Sequence, residues 1–192
     1  MKNIKIVFLI AVLQLSACIG SSVNNKIIHQ DSEAQRGAVF PQVSAADLDG
    51  KAYDLPRDFT YRYNILVFGF AHEQKEMVKA WLLPLNKVKA MHSDITIYRI
   101  PVIDPSNFAL RTVIRNGMRS KAEDEARKQT LTLFVDRQSF ADSLGIKGID
   151  TVAVVVTDRE GHLIWQQSGE FAEAKIKELD ELVSIASRAN GS

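Results

Sequence analysis

The feature that most constrains the fold of this chain is the uninterrupted apolar segment 64–70, which reads NILVFGF. It has the length of a β-strand but lacks the alternation of apolar and polar residues found in strands with one solvent-exposed face. Such a run predicts a strand buried on both faces, as in the central sheet of an α/β protein. The next segment, 73–91, repeats apolar residues at helical spacing and predicts a helix with one buried stripe, kinked near Pro84.

The rest of the chain continues this alternation of strand and helix patterns. In order, the patterns predict two extended pieces around the turn Asp49-Gly50, a second buried strand at 95–103, a helix at 107–129 weakened by Gly117, a short strand at 131–136, a short helix at 138–144, a hairpin at 151–165 with its turn at 158–161, and a closing amphipathic helix at 171–189. This order predicts an α/β domain with a central mixed sheet and helices on both faces.

The N-terminus predicts export and lipid attachment. Lys2 and Lys5 precede an apolar run, 6–13. This run is far shorter than the ~20 residues that a membrane-spanning helix needs. The sequence LSAC, residues 15–18, follows this run. Positive charge, a short apolar run and small residues before a cysteine resemble the signal peptide and lipobox of bacterial lipoproteins. The resemblance implies cleavage before Cys18 and acylation of that residue with chains such as palmitate.

The lipoprotein resemblance also implies a domain organisation and a location. Residues 1–17 would be the signal peptide, 18–38 a polar tether, and 39–189 the folded domain. The residue after the cysteine is Ile19, whereas an aspartate there tends to retain lipoproteins in the inner membrane of Gram-negative bacteria. In such an organism the resemblance favours the outer membrane, facing the periplasm, with the bilayer itself as a partner. An ordinary cleaved signal ending at Ala17 is the alternative.

The cysteine count limits the chemistry. Cys18 is the single cysteine among 192 residues, so a chain acylated there has no thiol left. Thiolate catalysis is therefore excluded for the mature protein. With 24 basic and 23 acidic residues in the whole chain, charge gives no sign of nucleic acid binding, and no cofactor pattern is present.

Three segments, FPQVSAADLDGKAYDL (40–55), NILVFGFA (64–71) and VAVVVTDREGHLIW (152–165), resemble the thioredoxin-like superfamily in its peroxiredoxin or thiol-disulfide reductase arrangement. The resemblance implies a thioredoxin-like fold. Membrane-tethered reductases of this kind carry a W-A-x-W-C-P-P-C pattern after the central strand. On that pattern Gln74 and Met77 stand where the two cysteines would be, and neither side chain forms a thiolate or a disulfide.

A second part of the redox site is also missing. The superfamily usually places a cis-proline just before the strand that begins here near Val152, and this chain has no proline after Pro105. The peroxiredoxin pattern P-x-x-x-T-x-x-C is absent as well. The resemblance therefore implies a redox-inactive domain that acts by binding.

Two more patterns indicate a subfamily: the helix residues Gln74, Val78, Trp81 and Pro84, and the hairpin residues Asp158, Gly161, Ile164, Trp165 and Gly169. They resemble cysteine-free thioredoxin-like proteins similar to the mitochondrial ATP synthase assembly-chaperone family. Ile164 departs from that family, in which an arginine commonly precedes the tryptophan. The resemblance implies an assembly role in the cell envelope, with an unidentified envelope protein as partner and no catalytic residue.

A non-thiol enzyme or metal-handling protein is the alternative function. His72 and Glu76 are four residues apart on the predicted helix, so both could face one cation. The pattern HEQKE lacks the second histidine of H-E-x-x-H, and no other histidine is suitably spaced as a third ligand. Stabilisation of the helix N-terminus by Glu73 and Glu76 explains the same residues without a metal.

Two other features have both a structural and a functional interpretation. Phe70, His72 and Trp81 would line a partner groove if the former active-site corner is exposed, whereas core packing is the default for tryptophan. Arginines at 111, 115 and 119 share one face of the predicted helix. That row could meet anionic lipid headgroups or an acidic partner, or be a solvated face compensated by the acidic residues at 123–125.

Overall fold

The computed structural model describes residues 38–105 and 108–188, which form an α/β domain. The elements are β1 (Val43–Ala46), β2 (Ala52–Leu55), β3 (Tyr63–Gly69), a 3₁₀ turn (His72–Gln74), α1 (Lys75–Met91), β4 (Ile95–Ile103), α2 (Phe108–Arg119), α3 (Asp124–Gln129), β5 (Thr132–Phe134), α4 (Arg137–Ser143), β6 (Ala153–Thr157), β7 (Leu163–Ser168) and α5 (Glu173–Arg188). The signal peptide, Cys18 and nearly all of the predicted tether lie outside the described residues.

The strands form one mixed sheet in the order β2-β1-β5-β4-β3-β6-β7. Strand β3 is central, pairing in parallel with β4 and antiparallel with β6, so that Leu66 lies between Tyr98 and Val155. The two outer hairpins, β1-β2 and β6-β7, are antiparallel. The predicted fold class, a mixed sheet with helices on both faces, is confirmed.

Strand β3 is buried on both faces, as its apolar run predicts. Leu66 and Phe68 contribute to one core cluster, while Ile65 and Val67 contribute to the other. This division follows from the two-residue repeat of a strand, which sends neighbouring side chains to opposite faces. Each face therefore needs its own covering layer.

Different elements cover the two faces. On the Ile65 side, α1 and α5 contribute Trp81, Leu85, Leu179 and Val183 to the core. On the Phe68 side, the cover is α4 together with irregular segments and includes three packed rings. The Phe68 ring lies 5.6 Å from that of Phe140 and 6.4 Å from that of Phe40, measured between centroids.

The predicted helix at 107–129 is two helices, α2 and α3. Residues 120–122 leave the helical repeat through bonds of the i to i−3 type, from Lys121 N to Met118 O and from Ala122 N to Arg119 O. Glu123 is then extended, with φ −69° and ψ 162°. The prediction of one helix was wrong. The break is set by backbone hydrogen bonds, and the polar residues there continue the helical pattern, so the sequence gives no sign of it.

The predicted hairpin at 158–161 is confirmed, and its motif residues have folding roles. The Asp158 carboxylate accepts a hydrogen bond from His162 N at 2.7 Å. Gly161 has a φ of +90°, and a Cβ there would lie 2.5 Å from Cβ of Pro56. Gly169, at φ +92°, accepts a hydrogen bond from the Trp81 indole at 3.0 Å. The hairpin pattern is thus explained by packing.

Among the helices in the described part of the chain, none combines the length and the apolarity needed to cross a bilayer.

We expect Gly161→Ala to destabilise the domain by roughly 2–5 kcal/mol. The left-handed backbone costs about 1–2 kcal/mol for alanine, and the methyl group must also displace the Pro56 ring, at about 1–3 kcal/mol. Gly50→Ala is the matched control, because Gly50 has a φ of +93° but nothing within 4 Å of its Cβ position. Urea unfolding of both variants measures the difference. Equal losses would show that the contact with Pro56 contributes nothing.

Candidate functional site

The corner between β3 and α1 is where the sequence resemblance places the two degenerate redox positions, Gln74 and Met77. After β3 the chain buries Phe70, exposes Ala71 and His72, and turns through the 3₁₀ segment into α1. Ala71 is extended, with φ −144° and ψ 153°, and its carbonyl accepts a hydrogen bond from Gln74 N at 3.2 Å. This turn places Gln74 just before the first turn of α1, where thioredoxin-like reductases would carry their first cysteine.

The Gln74 side chain closes this corner. It is only 3% exposed. Its Oε1 accepts a hydrogen bond from Phe70 N at 2.8 Å, and its Nε2 donates one to Ile149 O at 2.8 Å. An amide is suited to this bridge because it carries both an acceptor and donors. The side chain thereby joins the end of β3 to the loop that precedes β6.

Met77 occupies the second redox position and touches the same loop. Its side chain is partly buried against the core on the α1 side of the sheet. The hydroxyl of Thr151, the residue before Val152, lies 3.9 Å from the Met77 sulfur. A hydroxyl donating to a thioether is a weak contact, so packing is the main role of this side chain.

Arg137, which the sequence patterns did not indicate, holds the corner from the other side. Its Nη1 donates to Phe70 O at 2.8 Å, and its Nε and Nη2 lie 2.9 Å and 2.7 Å from Oδ2 of Asp104. Both backbone polar groups of Phe70 are therefore occupied by side chains. The hydrogen bonds from Arg137 lower the pKa of Asp104, and those bonds raise the pKa of Arg137 in turn.

No local signal marks Arg137 and Asp104 as partners. They are 33 residues apart in sequence, and Arg137 is 67 residues from Phe70. A recognisable signal lies next to them: Asp136 caps the N-terminus of α4 by accepting a hydrogen bond from Ser139 N at 2.8 Å, which also lowers the pKa of Asp136. The cap fixes where α4 begins, and therefore the position from which the Arg137 side chain extends.

The suggested binding surface of Phe70, His72 and Trp81 does not form. Phe70 is buried against Phe68, with ring centroids 6.3 Å apart. Trp81 is buried on the opposite face of the sheet, where its ring lies 6.0 Å from that of Phe171. Only His72 of the three is exposed, whereas core packing of Trp81 is confirmed.

The structure gives no support to a cation at His72 and Glu76. Both are exposed, and the Glu76 carboxylate pairs with Lys79 at 2.8 Å. The hydrogen bond from Lys79 lowers the pKa of Glu76. Within residues 38–105 and 108–188, no group of three or more histidine, cysteine or acidic side chains is placed to hold a metal ion.

An open cleft of about 1200 Å³ lies between β2, the loop 56–60 and the hairpin turn 159–160. Three aromatic residues line it, Tyr53, Phe59 and Tyr98. The rings of Phe59 and Tyr98 stack with centroids 6.2 Å apart. Burial raises the pKa of the Tyr98 hydroxyl, and Tyr53 raises it further.

Charged groups surround these rings. The Lys51 ammonium lies 4.7 Å from the centroid of the Tyr53 ring, while Arg57 pairs with Asp54 and with Asp58. Arg159 and Glu160 stand exposed at the rim. Sequence reasoning missed this cleft because its residues come from separate segments that only the sheet brings together.

Comparison with known proteins identifies the fold. No known family profile and no curated protein sequence matches the chain. Solved structures do match. The thioredoxin domain of a thiol-disulfide oxidoreductase from Bacteroides vulgatus is 20% identical, with a TM-score of 0.50, over 76% of this chain and 95% of that one. A thiol-disulfide oxidoreductase from Bacteroides fragilis is 18% identical, with a TM-score of 0.51, over 75% and 98%.

A third match has a higher TM-score. A protein from Aquifex aeolicus, provisionally described as an electron transport protein, is 15% identical, with a TM-score of 0.56, over 82% of this chain and 99% of that one. Likeness at such low identity concerns the backbone arrangement alone. The chain thus has the thioredoxin-like fold.

We expect Gln74→Leu to destabilise the domain by roughly 2–4 kcal/mol, because Phe70 N–H and Ile149 C=O would lose their buried partner. Gln74→Glu keeps an acceptor for Phe70 but places a carboxylate against the Ile149 carbonyl, so it should also destabilise. His72→Ala, at an exposed neighbour, should stay within about 0.5 kcal/mol. Chemical denaturation measures all three. A Gln74→Leu variant as stable as His72→Ala would show that the amide does not close the corner.

We expect acid to weaken the Arg137 contact. Because the pKa of Asp104 is lowered from its ordinary 3.8, the pair stabilises the fold above that value and is lost as pH falls below it. Asp104→Asn should flatten the decline of thermal stability between pH 5 and pH 2. Glu160→Gln, at an exposed carboxylate outside this corner, should leave the decline as in the wild type. An identical acid profile for Asp104→Asn would contradict the assignment.

Proposed function

We propose that this protein is a lipid-anchored, redox-inactive thioredoxin-like protein of the bacterial cell envelope that acts by binding, as an assembly or chaperone-like factor. The observation that carries the proposal is the buried Gln74 amide at the first redox position, bonded to both Phe70 and Ile149.

Redox catalysis on this fold needs an accessible thiolate at the start of the helix that follows the central strand. Here that position holds a buried amide whose Oε1 accepts a hydrogen bond from Phe70 N and whose Nε2 donates one to Ile149 O. The second position holds Met77, which packs against the core. Neither of these two positions therefore offers a thiolate to a substrate.

The sequence LSAC supports the anchor. Acylation of Cys18 would remove the single thiol of the chain and hold the domain on a membrane, in a Gram-negative organism at the periplasmic face of the outer membrane. Two or more acyl chains hold a protein firmly on a bilayer, whereas one gives only reversible binding.

The assembly role is supported by resemblance to the ATP synthase assembly-chaperone family and by the cleft. Tyrosine and arginine, which line the cleft at Tyr53, Tyr98 and Arg57, are enriched among residues that dominate protein interfaces. The partner we propose is therefore an envelope protein that enters this cleft. Nothing in the charge of the chain favours nucleic acid as a partner.

The alternative, a metal-handling protein or non-thiol enzyme using His72 and Glu76, is favoured by no specific observation. Metal analysis of the purified protein with His72→Ala as control tests it directly. If the wild-type protein binds stoichiometric metal and the variant does not, the binding proposal is contradicted and this alternative takes its place.

Photo-crosslinking in living cells tests the binding role. A crosslinking amino acid at Ala52, exposed in the cleft, should capture a discrete envelope protein. The same group at Leu83, 68% exposed on α1, is the matched control and should capture none. Deleting the gene for the captured protein should remove the crosslink and reproduce the phenotype of deleting this one. Purified protein that turns over a substrate at a rate unaffected by that partner would contradict the proposal.

Mass spectrometry tests the anchor separately. We expect the mature chain to begin at Cys18 with a diacylglyceryl thioether and an acylated amino group. A free thiol at Cys18 that cycles between oxidation states would overturn both the anchor and the redox-inactive assignment.

A further inference from the structure

Asn64 is a buried polar residue at the start of the apolar run of β3. It is 0% exposed, although asparagine is among the residues that proteins mostly leave on the surface. Its Nδ2 donates hydrogen bonds to Tyr61 O at 3.0 Å and to Asp158 O at 3.3 Å. Its Oδ1 has no hydrogen-bond partner among the described residues. The donors of this side chain are therefore the groups that the fold uses.

The two carbonyl groups adjoin the two walls of the cleft. Tyr61 directly follows the loop 56–60, and Asp158 directly precedes Arg159 and Glu160 of the hairpin turn. Asn64 and Asp158 are 94 residues apart in sequence, so only the sheet brings them together. A primary amide is suited to such a bridge because its nitrogen carries two donors. One buried side chain thus joins the two walls from inside the protein.

The far end of the hairpin turn is held separately. The backbone N–H of Phe40 donates to Gly161 O at 2.8 Å. The Phe40 ring also packs against that of Phe59, which lines the cleft, with centroids 5.8 Å apart. The turn is therefore fixed at Gly161 by Phe40 and at Asp158 by Asn64. Loss of the Asn64 bonds would release one end of the turn and leave the backbone bonds between strands in place.

We propose that Asn64 is a positioning residue for the cleft, whose amide sets the spacing between the loop 56–60 and the turn 159–160. The inference rests on the proposed binding of a partner in this cleft, because it names the residue that holds the cleft ready. A site already held in its bound shape loses less free energy to ordering when a partner enters. When that shape is populated only part of the time, the apparent affinity falls in proportion.

Hydrogen exchange of the full acylated protein, followed by mass spectrometry, tests the positioning. Asn64→Leu removes the donors at similar side-chain size. We expect the backbone amides of 56–61 and 158–162 to exchange roughly tenfold faster, and those of α1 to be unchanged. Thr157→Val is the matched control, because Thr157 pairs with Asn64 in the sheet and its buried hydroxyl has no partner in the described part of the chain. It should change neither segment.

A second control separates positioning from general stability. Leu179→Ala truncates a core residue on the opposite face of the sheet and should weaken the domain without a selective change at the cleft. Asn64→Ser, which has one donor on a shorter side chain, should also speed exchange at the cleft and decides the question if Asn64→Leu does not fold. Unchanged exchange at the cleft in the Asn64 variants, or equal acceleration there in Leu179→Ala, overturns the inference.

Photo-crosslinking from position 52 measures the consequence for the partner. We expect Asn64→Leu to lower the yield per folded molecule roughly tenfold, and Thr157→Val to leave it unchanged. Equal capture by the wild type and Asn64→Leu overturns the inference. If the wild type captures no protein but the exchange pattern is as expected, the proposed partner binding fails, whereas the assignment of Asn64 to the spacing of the cleft walls is upheld.

Discussion

The burial of β3 on both faces is the constraint on which the other elements depend. Its alternating side chains supply two cores, and each core needs a separate cover. On one side the cover is a pair of helices, α1 and α5; on the other it is α4 with a set of packed aromatic rings. Since no edge of β3 is free, the functional surfaces must lie at its ends or on peripheral elements.

At the carboxyl end of β3, hydrogen bonds within the protein close the corner where the sequence resemblance places the redox positions. Both backbone groups of Phe70 are occupied, its N–H by Gln74 and its C=O by Arg137. The same amide reaches Ile149, which ties the loop before β6 to the start of the helix. A reductase must leave this corner open to a substrate disulfide. Here the Gln74 and Arg137 side chains occupy the corner and tie its segments together.

The cleft proposed for partner binding is separate from this corner. The tyrosine-lined cleft opens between β2 and the turn of the last hairpin, and no residue of that corner lines it. Helix α2 is peripheral, and none of its described side chains is fully buried.

The sequence by itself determined the fold class, most of the elements and the presence of a single cysteine, because apolar periodicity, turn residues and cysteine count are local or additive properties. It placed Gln74 and Met77 at the redox positions, but not the hydrogen bond from Gln74 to a residue 75 positions away. Only the tertiary structure decided that bond, the burial of Phe70 and Trp81 on opposite faces, and the break between α2 and α3. Each of these features depends on which distant segments of the chain meet. Those contacts, and not the neighbours in sequence, fix the direction of a side chain.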